Sequence, residues 1–149
     1  FAVALHALRV RVRIDASERD RAGRLLATDY KTGAPRVPTG AKVHGGRLLQ
    51  PALYALALRS LHAPAEVLGG KLEHCTRRGD YGEHLVALDE NVELAVRRVA
   101  GANVFFPAAP SDADTCAACD YLPICGPYEH IRARHKAPLS DLTRLRRLP

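Results

Sequence analysis

Asp29 and Lys31 stand two apart at the end of a short apolar run, Leu25-Leu26-Ala27-Thr28. On a strand, residues two apart point to the same face. A carboxylate and an ammonium there are costly to bury unless they are paired or bound to a metal. Asp15, fourteen residues earlier, ends a second strand-like run. Two carboxylates and a lysine on adjacent strands have the chemistry to hold a divalent cation and a water beside a phosphodiester. The same residues also fit a plain surface salt bridge.

A second group lies near the C-terminus. Cys116, Cys119 and Cys125 have the spacing C-x2-C-x5-C, and Cys75 is the one other cysteine. Thiolates suit zinc or an iron–sulfur cluster, and a complete site of either kind needs four ligands. The fourth is Cys75, His74 or a residue preceding Phe1. Unligated, reduced cysteines are the plain alternative.

The elements that must position these residues follow from periodicity. Residues 1–14 read as a strand, with Val10, Val12 and Ile14 alternating with Arg9, Arg11 and Arg13. Residues 16–24 read as a hairpin turn and 24–31 as the second strand. Residues 32–46, with four glycines and two prolines, read as a loop. A helix over 47–61 carries the stripe Leu49, Leu53, Leu56 and Ala57, and it tolerates Pro51 only in its first turn. Gln50 and Tyr54, four apart, share a face beside that stripe. Strands follow over 65–76 and 81–88. Asp89 suits the N-cap of a helix over 90–100, which Gly101 would end. Residues 107–115 read as a linker, and the tail from Glu129 as a basic helix.

The chain has 149 residues and a formal net charge of +6, which favours an anionic partner such as nucleic acid. It begins at Phe1 and has no methionine, so it reads as a segment of a longer protein. No apolar run reaches 18 residues, and clustered cysteines without a disulfide framework fit a cytoplasmic protein.

Asp15, then Asp29-Tyr30-Lys31-Thr32-Gly33, then Gly46-Arg47-Leu48-Leu49-Gln50-Pro51-Ala52-Leu53-Tyr54, then the cysteine triplet, resemble in that order the PD-(D/E)xK nuclease domain of the RecB and AddB type, also found in Cas4-like exonucleases. The resemblance spans roughly residues 9–128. It implies an α/β fold: a mixed central sheet flanked by helices, a restriction-endonuclease-like core, with a C-terminal cysteine-cluster appendage. The core would occupy 1–106, without the family's N-terminal helix, and the cysteine segment and basic tail 107–149.

The resemblance also implies site roles. Asp15 and Asp29 would bind Mg²⁺ or Mn²⁺, with the Tyr30 carbonyl as a further ligand. Lys31 would position or activate the attacking water, and Gln50 would orient that lysine. Asp15, Asp29, Lys31 and Gln50 are thus the catalytic set. Tyr54, with Arg9, Arg11 and Arg13, would meet DNA. Cys116, Cys119 and Cys125 would be three ligands of a [4Fe–4S] cluster, the fourth lying upstream. The implied activity is metal-dependent DNA cleavage, as an exonuclease, beside helicase domains or a partner subunit in DNA repair and recombination. The alternatives are an inactive nuclease fold that binds DNA or a partner, and a zinc-stabilised interaction domain. One departure stands out: Val12 replaces the glycine usual three residues before the first aspartate.

Overall fold

The computed structural model describes residues 2–5, 8–35, 37–100, 113–117, 119–137, 143, 147 and 148. The chain divides into two compact units, residues 1–102 with 145–149, and residues 103–144.

The first unit is built on a four-stranded mixed sheet of β3 (Ala16–Arg19), β4 (Leu25–Lys31), β5 (Val67–His74) and β6 (Glu83–Ala87), in that spatial order. The pairs β3–β4 and β5–β6 are antiparallel, and β4–β5 is parallel. A parallel pair needs a long crossover. The segment between β4 and β5 supplies it and contains α1 (Gln50–Leu61). The α/β fold with a mixed central sheet and flanking helices is therefore as expected.

Two expected elements differ. Residues 1–14 are not one strand: β1 (Ala2–Leu5) and β2 (Leu8–Arg11) form a separate antiparallel hairpin, paired from Ala2↔Arg11 down to Leu5↔Leu8. No Gly, Pro or Asn marks its turn, so the reversal has no composition signal. Residues 16–24, read as a turn, contain edge strand β3. Ser17, Glu18 and Arg19 are all exposed there, so no apolar alternation betrays it. The actual turn is Asp20–Arg24, where the Asp20 carboxylate accepts from the amides of Ala22 and Arg24.

Helix α1 lies against β4 and β5 with Ala52, Ala55, Leu56, Ala57 and Leu58 buried, and Pro51 is in its first turn. Gly70 is what lets it approach. A Cβ on Gly70 would lie 2.1 Å from the Pro51 carbonyl oxygen. Helix α2 (Glu90–Ala100) buries Val92, Ala95 and Val96, one stripe at helical spacing. Its cap is the expected one: the Val92 amide donates to Asp89 Oδ1 at 2.8 Å. The expected stop at Gly101 lies outside the described residues, as do 107–112 of the expected linker. Arg59 bridges α1 to α2 through two bonds to Glu93, at 2.5 and 2.9 Å. Leu148 returns to this unit: it packs on the core and its carbonyl accepts from Gly45 N–H at 2.9 Å.

The sheet face away from α1 carries a polar cluster that sequence reading did not single out. Lys71 is buried, with Nζ 2.8 Å from Glu73, 3.1 Å from Glu18 and 3.4 Å from Glu83. Burial opposes its charge, yet the bonds and charges of Glu73 and Glu18 outweigh that and hold its pKa above the ordinary lysine value.

The second unit contains three short helices: α3 (Ala113–Ala117), α4 (Leu122–Cys125) and α5 (Glu129–Arg134). Glu129 is buried beneath Arg132 and Lys136, at 2.7 and 2.5 Å. Arg132 also donates to the carbonyls of Pro127 and Cys125. No helix among the described residues is long and apolar enough to cross a membrane.

Candidate active site

The site forms where the C-terminal end of β4 meets the N-terminal end of α1. Asp29 is only 3% exposed. Its two oxygens are treated differently. Oδ1 accepts from Gln50 Nε2 at 2.6 Å. Oδ2 lies 2.5 Å from Lys31 Nζ as an ion pair, but it is buried without a directed hydrogen bond. Lys31 in turn donates to Gln50 Oε1 at 2.8 Å, and Gln50 Nε2 also reaches Tyr54 Oη at 2.8 Å. The Gln50 amide is thus polarised correctly, with its oxygen toward the ammonium and its nitrogen toward the carboxylate. The one-turn spacing of Gln50 and Tyr54 puts both on the same face, as the sequence predicts.

Asp15 sits in the bend between β2 and β3 and is exposed. Its Oδ2 accepts from the Tyr30 amide at 3.2 Å, which anchors it beside the residue that follows Asp29. The backbone beyond Lys31 is pinned as well. His74 Nδ1 meets the Gly33 carbonyl at 2.9 Å, the Cys75 amide donates to the Lys31 carbonyl at 2.9 Å, and Thr76 Oγ1 donates to the Thr32 carbonyl at 2.9 Å. These bonds are the positioning role that sequence reading missed. From the sequence, His74 and Cys75 read only as candidate ligands of the cysteine site.

A divalent cation fits this site. The buried Asp29 Oδ2 has the Lys31 ammonium beside it but no directed hydrogen bond, and Asp15 keeps one oxygen free of any partner among the described residues. Mg²⁺ is held by one or two carboxylates plus substrate phosphate and water, so a two-carboxylate site suffices.

The match of this chain to the family model of the PD-(D/E)XK nuclease superfamily runs over residues 1–126. The chain belongs to that superfamily. No curated protein matched the sequence. Superfamily members are generally nucleases that use divalent metals, so this is a nuclease-type domain with DNA as its substrate class.

The remaining expected residues of this nuclease domain are distributed as follows. Tyr30 is 47% exposed. Arg11 and Arg13 are exposed, while Val12 between them is buried, so the alternation holds. Arg9 lies in β2, and its side chain is outside the described residues. No clear iron–sulfur site is formed among the described residues. Cys116 is in α3, Cys119 is exposed in the turn after it, and Cys125 ends α4. The Cys119 amide does donate to the Cys116 carbonyl at 3.1 Å, so the turn is tight. Yet all three thiols are free, and no three His, Cys, Asp or Glu among the described residues converge on a metal-holding position.

Proposed function

We propose that this domain hydrolyses DNA phosphodiesters with Mg²⁺ or Mn²⁺ held by Asp15 and Asp29, as an exonuclease of the RecB, AddB and Cas4-like type. The observation that carries the reading is the closed ring of Asp29, Lys31 and Gln50, with Tyr54 bonded to Gln50. A structural salt bridge needs only the first two. The glutamine clamp restricts the lysine to one position, which is the requirement of a group that must meet developing charge.

The bound cation supplies Lewis acidity and a water of lowered pKa. Lys31 Nζ has three protons; one goes to Gln50, one faces Asp29, and the third is left for the attacking water or a phosphate oxygen. Gln50 holds that ammonium in place. Tyr54 Oη accepts from Gln50 and so keeps its own proton for an anionic acceptor. Arg11 and Arg13 attract the backbone without reading sequence. The proposed setting is a helicase–nuclease acting in DNA repair and recombination, and the Tyr30 carbonyl is a further proposed metal ligand.

The test is cleavage of linear and covalently closed circular DNA, with Mg²⁺, with Mn²⁺ and with chelator, by the native chain and by Asp29→Asn. The expected result is metal-dependent loss of linear DNA alone, reduced by about 10²-fold or more in the variant. Equal cleavage by Asp29→Asn would refute the assignment.

A further inference from the structure

Gln50 opens α1, and no side-chain cap holds that end of the helix. Leu49 stands at the N-cap and gives no side-chain bond to the first turn, and Pro51 has no N–H. The start of α1 is set by the segment before it. There His44, Gly45 and Gly46 form a tight turn with φ of 45°, 61° and 88°, three left-handed residues in succession. Glycine takes this conformation freely. His44 takes it at a cost and keeps it only where its surroundings hold it. Val43 and Leu48, on either side of the turn, are buried. Bonds within 43–48 close it: Gly46 N–H to the Val43 carbonyl at 2.8 Å, and Arg47 N–H to the His44 carbonyl and Leu48 N–H to the Val43 carbonyl, both at 3.1 Å. Among the described residues, one backbone bond reaches the turn from elsewhere, Gly45 N–H to the Leu148 carbonyl at 2.9 Å. The Leu148 side chain packs on the core cluster to which Val43 and Leu48 belong.

We infer that Leu148 is a positioning residue of the nuclease site, acting through Gln50: it braces the left-handed turn from outside and so fixes where α1 begins. This rests on the nuclease reading above and adds to it a residue far from the site in sequence. Leu49, between the turn and Gln50, is already in the right-handed helical region, so a shift of the turn passes straight to Gln50. The tolerance there is small. Gln50 meets Asp29 at 2.6 Å and Lys31 at 2.8 Å, and such bonds weaken beyond about 3.2 Å. The Leu148 side chain is apolar and has no group for a metal or a phosphate. Its effect therefore falls on kcat and not on KM. A core residue without this role would cost stability and would act on the rate independently of Gln50.

The experiment is a double-mutant cycle in the full chain: native, Leu148→Ala, Gln50→Ala and both together, with kcat and KM for metal-dependent cleavage of linear DNA. Circular dichroism and thermal unfolding set a temperature at which all four are folded. Val67→Ala, in the other core cluster and at the opposite end of β5 from His74, is the control for lost packing alone. Leu148→Ala is expected to lower kcat about threefold or more, bounded by the loss in Gln50→Ala, and to leave KM within about twofold. In the Gln50→Ala background the same substitution is expected to change kcat by less than about twofold. Leu148→Met should restore the native kcat, and Val67→Ala should keep it. Should Leu148→Ala not fold, Leu148→Val is read in the same way. Native kcat in a folded Leu148→Ala, an equal loss with and without Gln50, or an equal loss in Val67→Ala would overturn the inference. Any of these beside metal-dependent cleavage that Asp29→Asn abolishes would leave the nuclease reading intact. Absence of cleavage by the native chain would remove both.

Discussion

Gly70→Ala tests how the fold sets the site. The added Cβ would lie 2.1 Å from the Pro51 carbonyl oxygen, 2.7 Å from its carbon and 2.9 Å from its Cα. All three are backbone atoms, so no rotamer change relieves the clash. Contact becomes ordinary near 3.4 Å, so Pro51 must retreat by about 1.3 Å, the difference between 3.4 and 2.1. In an open strand, alanine for glycine would stabilise by about 0.5–1 kcal/mol. Overpacking against rigid backbone costs about 1–3 kcal/mol, and here it decides the sign. Gln50 immediately precedes Pro51 and moves with it. Its bonds to Asp29 and Lys31, now 2.6 and 2.8 Å, would stretch past hydrogen-bond range. The assays are thermal unfolding and metal-dependent cleavage, with Gly33→Ala as control, since a Cβ on Gly33 meets nothing within 4 Å. Gly70→Ala should lower the Tm by on the order of 5–15 °C, and cleavage should fall even at temperatures where the variant is folded. Gly33→Ala should match the native chain within about 0.5 kcal/mol. A Gly70→Ala protein with native Tm and native cleavage would refute the close-packing argument and the link between α1 and the site.

Two further outcomes follow. Gln50→Ala should keep the native circular dichroism spectrum and lose about tenfold or more in cleavage rate, whereas Gln50→Glu should be worse because it sets a second carboxylate against Asp29; equal rates for the two would show that polarity at Gln50 does not matter. The Thr28 hydroxyl beside Glu18, the Lys42 ammonium beside Asp89 and the Arg59 guanidinium beside Glu93 hold these carboxyls below their ordinary values. The unfolded chain then binds more protons than the folded one, so their contribution is complete above about pH 5 and is lost as pH falls through the folded values. Urea titrations from pH 7 down to pH 3 should show it, with a smaller loss in Asp89→Asn, and a flat profile would contradict it.

The residues around Lys31 were legible because local rules act on them. Period two puts Asp29 and Lys31 on one face, and one helical turn aligns Gln50 with Tyr54. The Asp89 cap was legible for the same reason. Asp15 could be placed only as a carboxylate near a strand end, because its anchor on the Tyr30 amide is a contact across fifteen residues. Strand β3 was hidden by its exposure, and the β1–β2 reversal by the lack of Gly, Pro or Asn between the two strands. The Lys71 cluster unites residues from three strands whose pairing no local pattern encodes. Gly69-Gly70 reads as a weak point in a strand; only the packed helix shows that Gly70 is a clearance.

Strands β3 and β6 each have a single partner among the described residues, and both are short, at four and five residues. Each exposes a row of unpaired backbone groups on which another chain could build. Glu18 and Arg19 stand on one rim and Glu83 on the other, all exposed. A strand arriving from a second molecule would meet charge and run out of backbone within a few residues. At high concentration, this sheet therefore resists ribbon-like growth by itself.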